Sequence, residues 1–331
     1  MTATLLAPGT VEVDVRLVPD DLRRALRRDA RAGLSARPKT MPPVWFYDDR
    51  GCELYEEITR TREYYPFRAE RDLLRRVAGE IAEAAGATVL VELGSGTSEK
   101  TRLLLDAMAA GRAGLVGYLP FDVADGTMRA AAQAVADDMG IGVHAVVGDF
   151  HEHLDEIPDV DAPRLVAFLG STIGNFTRDQ RRNFLEEVAR MLGPSDRFLL
   201  ATDLVKPVER LVAAYDDAAG VTAAFNLNLL SVLNRELAAD FDPDRFVHRA
   251  VRDAENRWIE MRLEATEDMA ISISALDLSV EFTAGEQMRT EISTKFTFDQ
   301  VRRDLSQAGM RVTGVWSDPA GDYLLTLARP K

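Results

Sequence analysis

The chain has 331 residues, of which 46% are hydrophobic and 28% are charged, so it is long enough to bury its own core. Its 40 basic and 54 acidic residues give a net charge of −14, which argues against a nucleic-acid partner because an acidic surface repels phosphate. The single cysteine, Cys52, excludes an intramolecular disulfide. Because no apolar run is long enough to cross a membrane and the first residues do not resemble a signal peptide, we expect a cytoplasmic protein without a membrane partner.

The first half of the chain predicts a parallel sheet. We expect a loose arm over residues 1–18, a helix from Pro19 and a second helix over 67–85. Five apolar stretches then alternate with helical ones, over 88–93, 114–123, 142–150, 164–176 and 197–205. Apolar runs of this kind are typical of strands buried on both faces, so the alternation predicts a Rossmann-like α/β sheet with helices on both faces.

After Lys206 the pattern changes. Residues 208–237 predict one or two helices interrupted near Gly220, and the stretches 255–267 and 270–285 alternate with period two, which predicts antiparallel strands. A helix over 297–309 and a C-terminal hairpin follow, and we expect the hairpin to complete the first sheet. The sequence therefore predicts a first domain of residues 67–206 and 296–331 and a second, α+β domain of residues 19–66 and 207–295.

Glycines and acids collect where the predicted strands end. Gly94 and Gly96 follow one strand, and a glycine turn before a helix lets a ligand approach the backbone closely. Asp122 and Asp149 end the next two strands, and Glu92 precedes the glycines. Because the carboxyl ends of parallel strands meet at one edge of a sheet, three such acids favour a ligand site over unrelated surface residues.

These residues favour S-adenosylmethionine over NAD. Glu99 replaces the third glycine of the dinucleotide fingerprint, and Asp122 lies further beyond Gly94 than the roughly 20 residues of that fingerprint. S-adenosylmethionine needs no phosphate cradle, and its sulfonium, ammonium and ribose hydroxyl groups all suit carboxylates. We expect Asp122 to bind the ribose hydroxyls, and Asp149 with the backbone of Phe150 to meet the adenine edge.

Several long motifs resemble those of the bacterial histidine-specific Nα-methyltransferases of ergothioneine biosynthesis, and the resemblance covers nearly the whole chain. The motifs are PKTMPPVWFYD (38–48), EYYPFRAE (63–70), VELGSGTSEKT (91–101), FLGSTIGNF (168–176), TDLVK (202–206), AYDDAAGVTAAFN (214–226) and TEISTKF (290–296).

The resemblance implies a class I methyltransferase fold and three successive methyl transfers from S-adenosylmethionine to the α-amino group of L-histidine. Mono- and dimethylhistidine are the intermediate substrates, and hercynine is the product. The implied cofactor site is Gly94, Lys100, Asp122, Asp149 and Phe150. The implied histidine site is Tyr64, Asn175, Tyr215, Glu291 and Ser293, with Tyr47, Gly170, Thr172 and Met261 around the pocket.

Side-chain chemistry agrees with that site. Phenol groups of Tyr64 and Tyr215 and the amide of Asn175 donate to a carboxylate, while Glu291 and Ser293 suit the two nitrogens of an imidazole. Glu291 and Ser293 are two residues apart, so on an extended segment they point to the same side. No metal is expected.

Three other interpretations stay open from the sequence. The first is a methyltransferase of the same fold that acts on another amino acid or small amine. The second is a cofactor-binding regulatory protein without turnover, which the polar set around Asn175 and Glu291 disfavours. The third is an NAD-dependent oxidoreductase, which the missing glycine disfavours. The acidic surface is compatible with a monomer, and His248 has no partner pattern.

Overall fold

The computed structural model describes residues 6–17, 19–96, 98–149 and 153–331. The described strands are β1 (Val11–Val15), β2 (Val89–Leu93), β3 (Gly117–Asp122), β4 (Gly142–Val147), β5 (Arg164–Phe168), β6 (Arg197–Asp203), β7 (Phe246–Asp253), β8 (Trp258–Ala265), β9 (Met269–Ile273), β10 (Leu278–Phe282), β11 (Gln287–Thr294), β12 (Met310–Ser317) and β13 (Tyr323–Pro330). The described α-helices are α1 (Pro19–Ser35), α2 (Asp49–Arg60), α3 (Tyr65–Ala85), α4 (Thr101–Ala110), α5 (Asp125–Met139), α6 (Arg178–Met191), α7 (Val208–Ala214), α8 (Val221–Leu237) and α9 (Phe298–Gln307).

The chain divides into two compact units. The first unit comprises the residues up to Leu17 together with Pro66–Val205 and Phe296–Lys331, and the second comprises Val18–Tyr65 and Lys206–Lys295. The helices of the described residues are too short or too polar to cross a membrane.

The first unit is built on one large sheet. Its strand order is β1-β4-β3-β2-β5-β6-β13-β12, and the strands from β1 to β6 are parallel. Strands β2 and β5 are buried at every position, as expected for strands covered on both faces. The expected Rossmann-like architecture is confirmed. The chain runs outward from β2 to β4 and then returns to β5, so the strand order reverses beside β2, where such sheets bind ligands.

Two expectations for the edges of this sheet need correction. The expected loose arm over residues 1–18 is wrong for Val11–Val15, which forms β1 and pairs in parallel with β4. The C-terminal hairpin does complete the sheet, but β13 runs antiparallel to β6 and β12 antiparallel to β13. A short turn joins β12 to β13, so these two strands are antiparallel, and β13 lies between β12 and β6 and runs opposite to both.

The fourth apolar run forms a shorter strand than its length suggests. Strand β5 ends at Phe168, and the following residues turn sharply, with positive φ angles of 75° at Gly170 and 55° at Ser171. A 3₁₀ turn over Thr172–Asn175 completes the segment. The run expected over 164–176 therefore combines a buried strand with an ordered turn at its carboxyl end.

The second unit combines helices with small antiparallel sheets. Strands β7, β8 and β11 form one sheet in the order β11-β8-β7, and β9 pairs with β10. The expected helix break near Gly220 is confirmed, since α7 ends at Ala214 and α8 begins at Val221. The single strand expected over 270–285 is instead the β9–β10 hairpin, and β7 was not expected.

Candidate functional site

The glycine turn after β2 is held by the end of β3. Gly94 and Gly96 have φ angles of 74° and 48°, which glycine adopts without steric cost. The Gly94 amide donates to the Phe121 carbonyl at 2.7 Å, and the Gly96 amide donates to the Asp122 carboxylate at 2.8 Å. Burial raises the pKa of Asp122, although the amides of Gly96 and Ala124 that donate to its carboxylate lower it. Asp122 therefore lies directly beside the turn.

Glu92 supports this turn from inside the protein. It is 2% exposed; one carboxylate oxygen accepts from the Thr101 hydroxyl, and the other accepts from the Tyr118 hydroxyl at 2.6 Å. Tyr118 also bonds to Ser98, at 2.9 Å. Burial raises the pKa of Glu92 to about 7, against the opposing effect of these hydrogen bonds. Both oxygens of Glu92 are thus engaged by protein groups.

The turn after β5 brings together residues that the sequence assigned to two different ligands. The Gly170 amide donates to the Glu70 carboxylate at 2.7 Å, and the same buried carboxylate pairs with the Lys100 ammonium. A Cβ atom at Gly170 would lie 3.2 Å from Thr172 Oγ1 and 3.7 Å from Lys100 Nζ. Lys100, Gly170 and Thr172 therefore lie side by side, around a glutamate that sequence reasoning missed.

Four adjacent parallel strands present these turns at one edge of the sheet. The strands are β4, β3, β2 and β5, in that order. Asp149, Gly94 and Gly170 follow the carboxyl ends of β4, β2 and β5, and Asp122 is the last residue of β3. The expectation that the strand-end residues share one edge is confirmed, and this edge is where open α/β sheets bind ligands.

Three further predicted residues belong to this unit. The Asp149 amide donates to Nδ1 of His153 at 3.2 Å, and its carbonyl accepts from the His153 amide at 2.9 Å. Asn175 ends the 3₁₀ turn after β5. Phe150 lies outside the described residues. The backbone of Asp149 is therefore held by a local turn, whereas its contact with adenine stays a prediction.

In the second unit, a buried lysine joins two of the predicted substrate residues. Lys295 is 0% exposed, and its ammonium donates to the Tyr215 hydroxyl at 2.8 Å and to Ser293 Oγ at 2.9 Å. The two hydroxyl oxygens are 2.7 Å apart. Sequence reasoning missed Lys295, although it lies within the motif at 290–296, because nothing local to that motif shows that Tyr215 is its partner.

Glu291 and Tyr64 lie beside this cluster. Glu291 is on β11, opposite Met261 on β8. Burial raises the pKa of Glu291 to about 7, and the positive charge of Lys295 opposes that rise. The Tyr64 ring lies 6.1 Å from the Tyr215 ring, and burial raises the pKa of Tyr64, with smaller contributions from neighbouring groups that include Glu291. The second unit thus brings together Tyr64, Tyr215, Met261, Glu291 and Ser293.

A group of aromatic rings continues from Tyr64. Its ring lies 6.4 Å from that of Tyr55, which lies 5.9 Å from that of Tyr47. Tyr47 also contacts Phe225, at 5.8 Å between ring centroids. The structure therefore places Tyr47 near Tyr64 through Tyr55, and it adds Tyr55 and Phe225 to the residues that the sequence predicted.

His248, which shows no partner pattern in the sequence, holds the backbone of Tyr215. Its Nε2 lies 2.7 Å from the Tyr215 carbonyl, and its Nδ1 lies 2.8 Å from the Asn226 amide nitrogen. Because Asn226 Oδ1 accepts from Thr290 at 2.7 Å, the amide nitrogen of Asn226 faces Nδ1 as a donor. His248 is therefore the tautomer that donates from Nε2, and burial lowers the pKa of His248, which keeps it neutral.

Comparison with known proteins identifies the family. A family model described as histidine-specific methyltransferase, SAM-dependent, matches residues 26–330. The chain belongs to this family. It is 55% identical over 313 residues to the histidine N-alpha-methyltransferase of Mycolicibacterium smegmatis, a match that covers 94% of this chain and 97% of that protein.

Two further relatives extend the comparison. The chain is 50% identical over 319 residues to the histidine N-alpha-methyltransferase of Mycobacterium tuberculosis, which covers 96% of this chain and 99% of that protein. It is 28% identical over 302 residues to ergothioneine biosynthesis protein 1 of Neurospora crassa, which covers 88% of this chain and 34% of that protein.

The first unit has the chemistry that the cofactor of this methyltransferase family requires. The Ser95 hydroxyl in the glycine turn is buried and has no hydrogen-bond partner among the described residues, as expected for a group that a ligand satisfies. The carboxylates of Asp122 and Asp149 suit a ribose diol and an adenine amino group, and the Lys100 ammonium suits a carboxylate. The residues at this sheet edge therefore fit S-adenosylmethionine.

Proposed function

We propose that this chain trimethylates the α-amino group of L-histidine to give hercynine, the first step of ergothioneine biosynthesis. Family membership and the two mycobacterial relatives support this function. The structural observation that carries it is that one unit brings together Tyr64, Tyr215, Glu291 and Ser293, of which Tyr215 and Ser293 are buried and Tyr64 and Glu291 are partly buried. This set combines phenol donors for a carboxylate with an acceptor and a hydroxyl for an imidazole.

In the proposed reaction, the main task of the protein is to align the substrate amine with the methyl group of the cofactor. Bound S-adenosylmethionine supplies an electrophilic methyl group on a sulfonium that leaves as a neutral thioether. The lone pair of the substrate amine forms the new N–C bond while the C–S bond breaks, so the protein has to hold the amine in line and exclude water. Each of the first two transfers leaves a protonated nitrogen, and that proton must pass to the bulk solvent before the next transfer.

We assign the two ligands to the two units by chemistry. In the first unit, Asp122 binds the ribose hydroxyls, Asp149 with Phe150 binds the adenine, and Lys100 binds the cofactor's carboxylate beside the Gly94 turn. The second unit supplies Tyr64 and Tyr215 for the histidine carboxylate and Glu291 and Ser293 for its imidazole. We also assign to histidine Tyr47 and Met261 of the second unit, and Gly170, Thr172 and Asn175 of the first unit.

A time course tests this proposal. The protein is incubated with S-adenosylmethionine and L-histidine, and the products are separated and weighed by mass spectrometry. We expect mono- and dimethylhistidine to appear and then be consumed, with three molecules of S-adenosylhomocysteine formed per hercynine. An accumulated monomethyl product, or methylation on the imidazole ring, would overturn the proposal.

We also propose that the protein is a monomer, which the net charge of −14 supports through repulsion between copies. Light scattering during size-exclusion chromatography measures the mass directly. A monomer gives 36.6 kDa, and twice that mass would contradict this part of the proposal.

A further inference from the structure

We propose that Asn226 is a positioning residue of the histidine site, which links the backbone that carries Glu291 and Ser293 to the backbone of Tyr215. This inference rests on the proposed function, which assigns those three residues to the substrate. Asn226 lies on α8 and is 0% exposed, so its amide has to find its hydrogen-bond partners inside the protein.

A β-bulge decides which face of β11 carries the two residues that we assign to the imidazole. The register of β11 against β8 shifts by one residue between Arg289 and Glu291, so Thr290 is an extra residue in the strand. Because a shift of one residue moves the following side chains to the other face, the bulge places Glu291 and Ser293 on the face of β8 that carries Met261. Without the bulge, both side chains would lie on the opposite face of this sheet.

The side chain of Thr290 holds this bulge in place. Thr290 is 0% exposed, and its hydroxyl lies 2.7 Å from Oδ1 of Asn226 and 3.0 Å from the Met261 carbonyl on β8. A bulge locally disrupts the hydrogen-bond ladder between two strands, so side-chain bonds at the extra residue supply an anchor there. The Thr290 hydroxyl therefore connects the bulge to both α8 and β8.

The carbonyl of Arg262 fixes the orientation of the Asn226 amide. The amide nitrogen lies 3.1 Å from that carbonyl, which can only accept a hydrogen bond. The same nitrogen lies 2.8 Å from Nδ1 of His248, so Nδ1 accepts and Nε2 carries the ring hydrogen. Nε2 then donates to the Tyr215 carbonyl at 2.7 Å.

These bonds form a continuous chain from the bulge to Tyr215. The chain runs from Thr290 on β11 through Asn226 on α8 and His248 on β7 to Tyr215, which directly follows α7. Its middle member engages partners at both ends of the proposed substrate site. Because buried hydrogen bonds in a network depend on one another, loss of the Asn226 amide should disturb the contacts with both the imidazole and the carboxylate of histidine.

Two asparagines on the same helix provide a matched test. Asn226→Ala should raise the KM for histidine about tenfold, the effect of about one lost hydrogen bond to a charged group, while kcat changes less. The Kd for S-adenosylmethionine should stay within about twofold, because the proposed cofactor residues belong to the first unit. Asn234 also lies on α8 and bonds to the backbone of Phe241, at 2.7 Å to the carbonyl and 2.9 Å to the amide. Asn234→Ala should lower the melting temperature and leave the KM within about twofold.

A second pair of variants acts at the bulge and applies even if Asn226→Ala does not fold. Thr290→Val keeps the shape of the side chain but removes the hydroxyl, so it should also raise the KM for histidine. Thr290→Ser retains the hydroxyl and should restore a KM near that of the wild type. Asn226→Ala and Thr290→Val remove the same hydrogen bond, so their effects on the KM should be strongly non-additive in the double variant.

The outcomes separate this inference from the proposed function. A wild-type protein that does not methylate histidine contradicts the proposed function. The role of Asn226 is overturned by a folded Asn226→Ala variant with an unchanged KM, or by an equal rise of the KM in Asn234→Ala. It is also overturned if Thr290→Val leaves the KM unchanged, or if Thr290→Ser and Thr290→Val raise it equally.

Discussion

Asp122 offers the most direct test of the cofactor half of the site. Its carboxylate accepts from the Gly96 amide at 2.8 Å and from the Ala124 amide at 3.0 Å, which fixes it beside the glycine turn. Asp122→Ala removes the proposed acceptor of the ribose hydroxyls. A hydrogen bond to a charged acceptor contributes about 1.5–3 kcal/mol, so the Kd for S-adenosylmethionine should rise about 10- to 150-fold.

Calorimetric titration of the protein with S-adenosylmethionine measures this change. Asp125→Ala is the matched control, because Asp125 lies in the first turn of α5, is exposed and pairs with Arg129 at 2.5 Å. The control should bind the cofactor like the wild type. Thermal melts of both variants distinguish disruption of the glycine turn from loss of the contact between Asp122 and the ribose hydroxyls. An affinity of Asp122→Ala within twofold of the wild type would refute the assignment.

Three other predictions concern stability and the substrate. The pKa of Glu92 is raised from 4.5 to about 7 in the folded protein, so the folded state binds its proton more tightly than the unfolded state does. The stability that this proton contributes is fully present below about pH 4.5 and is lost as the pH rises to 7, a change of about 3 kcal/mol in the free energy of unfolding. Urea unfolding of Glu92→Gln, whose side chain does not titrate, should lack this change. Histamine has no carboxylate for Tyr64 and Tyr215, so it should not be methylated, and comparable turnover of histamine and histidine would contradict the carboxylate contact. Replacing Glu291 and Ser293 together by alanine should lower kcat/KM for histidine and relax the rejection of phenylalanine, which hydrogen-bonded sites enforce by up to roughly 10⁴–10⁵; an unchanged histidine preference would place imidazole recognition elsewhere.

Two kinds of strand were predicted correctly: strands whose residues are apolar on both faces, and strands such as β8 whose residues alternate between apolar and polar. Strands β2 to β6 stand out because consecutive apolar residues have few alternatives to a buried strand. Val11–Val15 also alternates, but over only five residues, and it is the pairing with β4 that makes it a strand. Strand β7 (FVHRAVRD) has its apolar and polar residues in pairs and not in alternation, so its place beside β8 also depends on tertiary contacts.

The residues of the candidate site also differ in whether the local sequence predicts them. The glycine turn and Asp122 follow from local sequence, because strand ends and turn residues are adjacent in the chain. Glu70, Lys295 and His248 do not, because each acts on a group that is distant in sequence. The Lys295–Tyr215 bond joins residues 80 positions apart, and the Glu70–Gly170 bond joins residues 100 positions apart. A single sequence contains no pattern that pairs such buried polar groups.

Selectivity for histidine is the central claim. It is tested most directly by incubating the protein with methyl-deuterated S-adenosylmethionine and an equimolar mixture of the common amino acids. Mass spectrometry then shows which amino acids carry the label. We predict label in histidine alone, which finally carries three deuterated methyl groups on its α-nitrogen. Label in another amino acid at a comparable rate, or in none, would contradict the account.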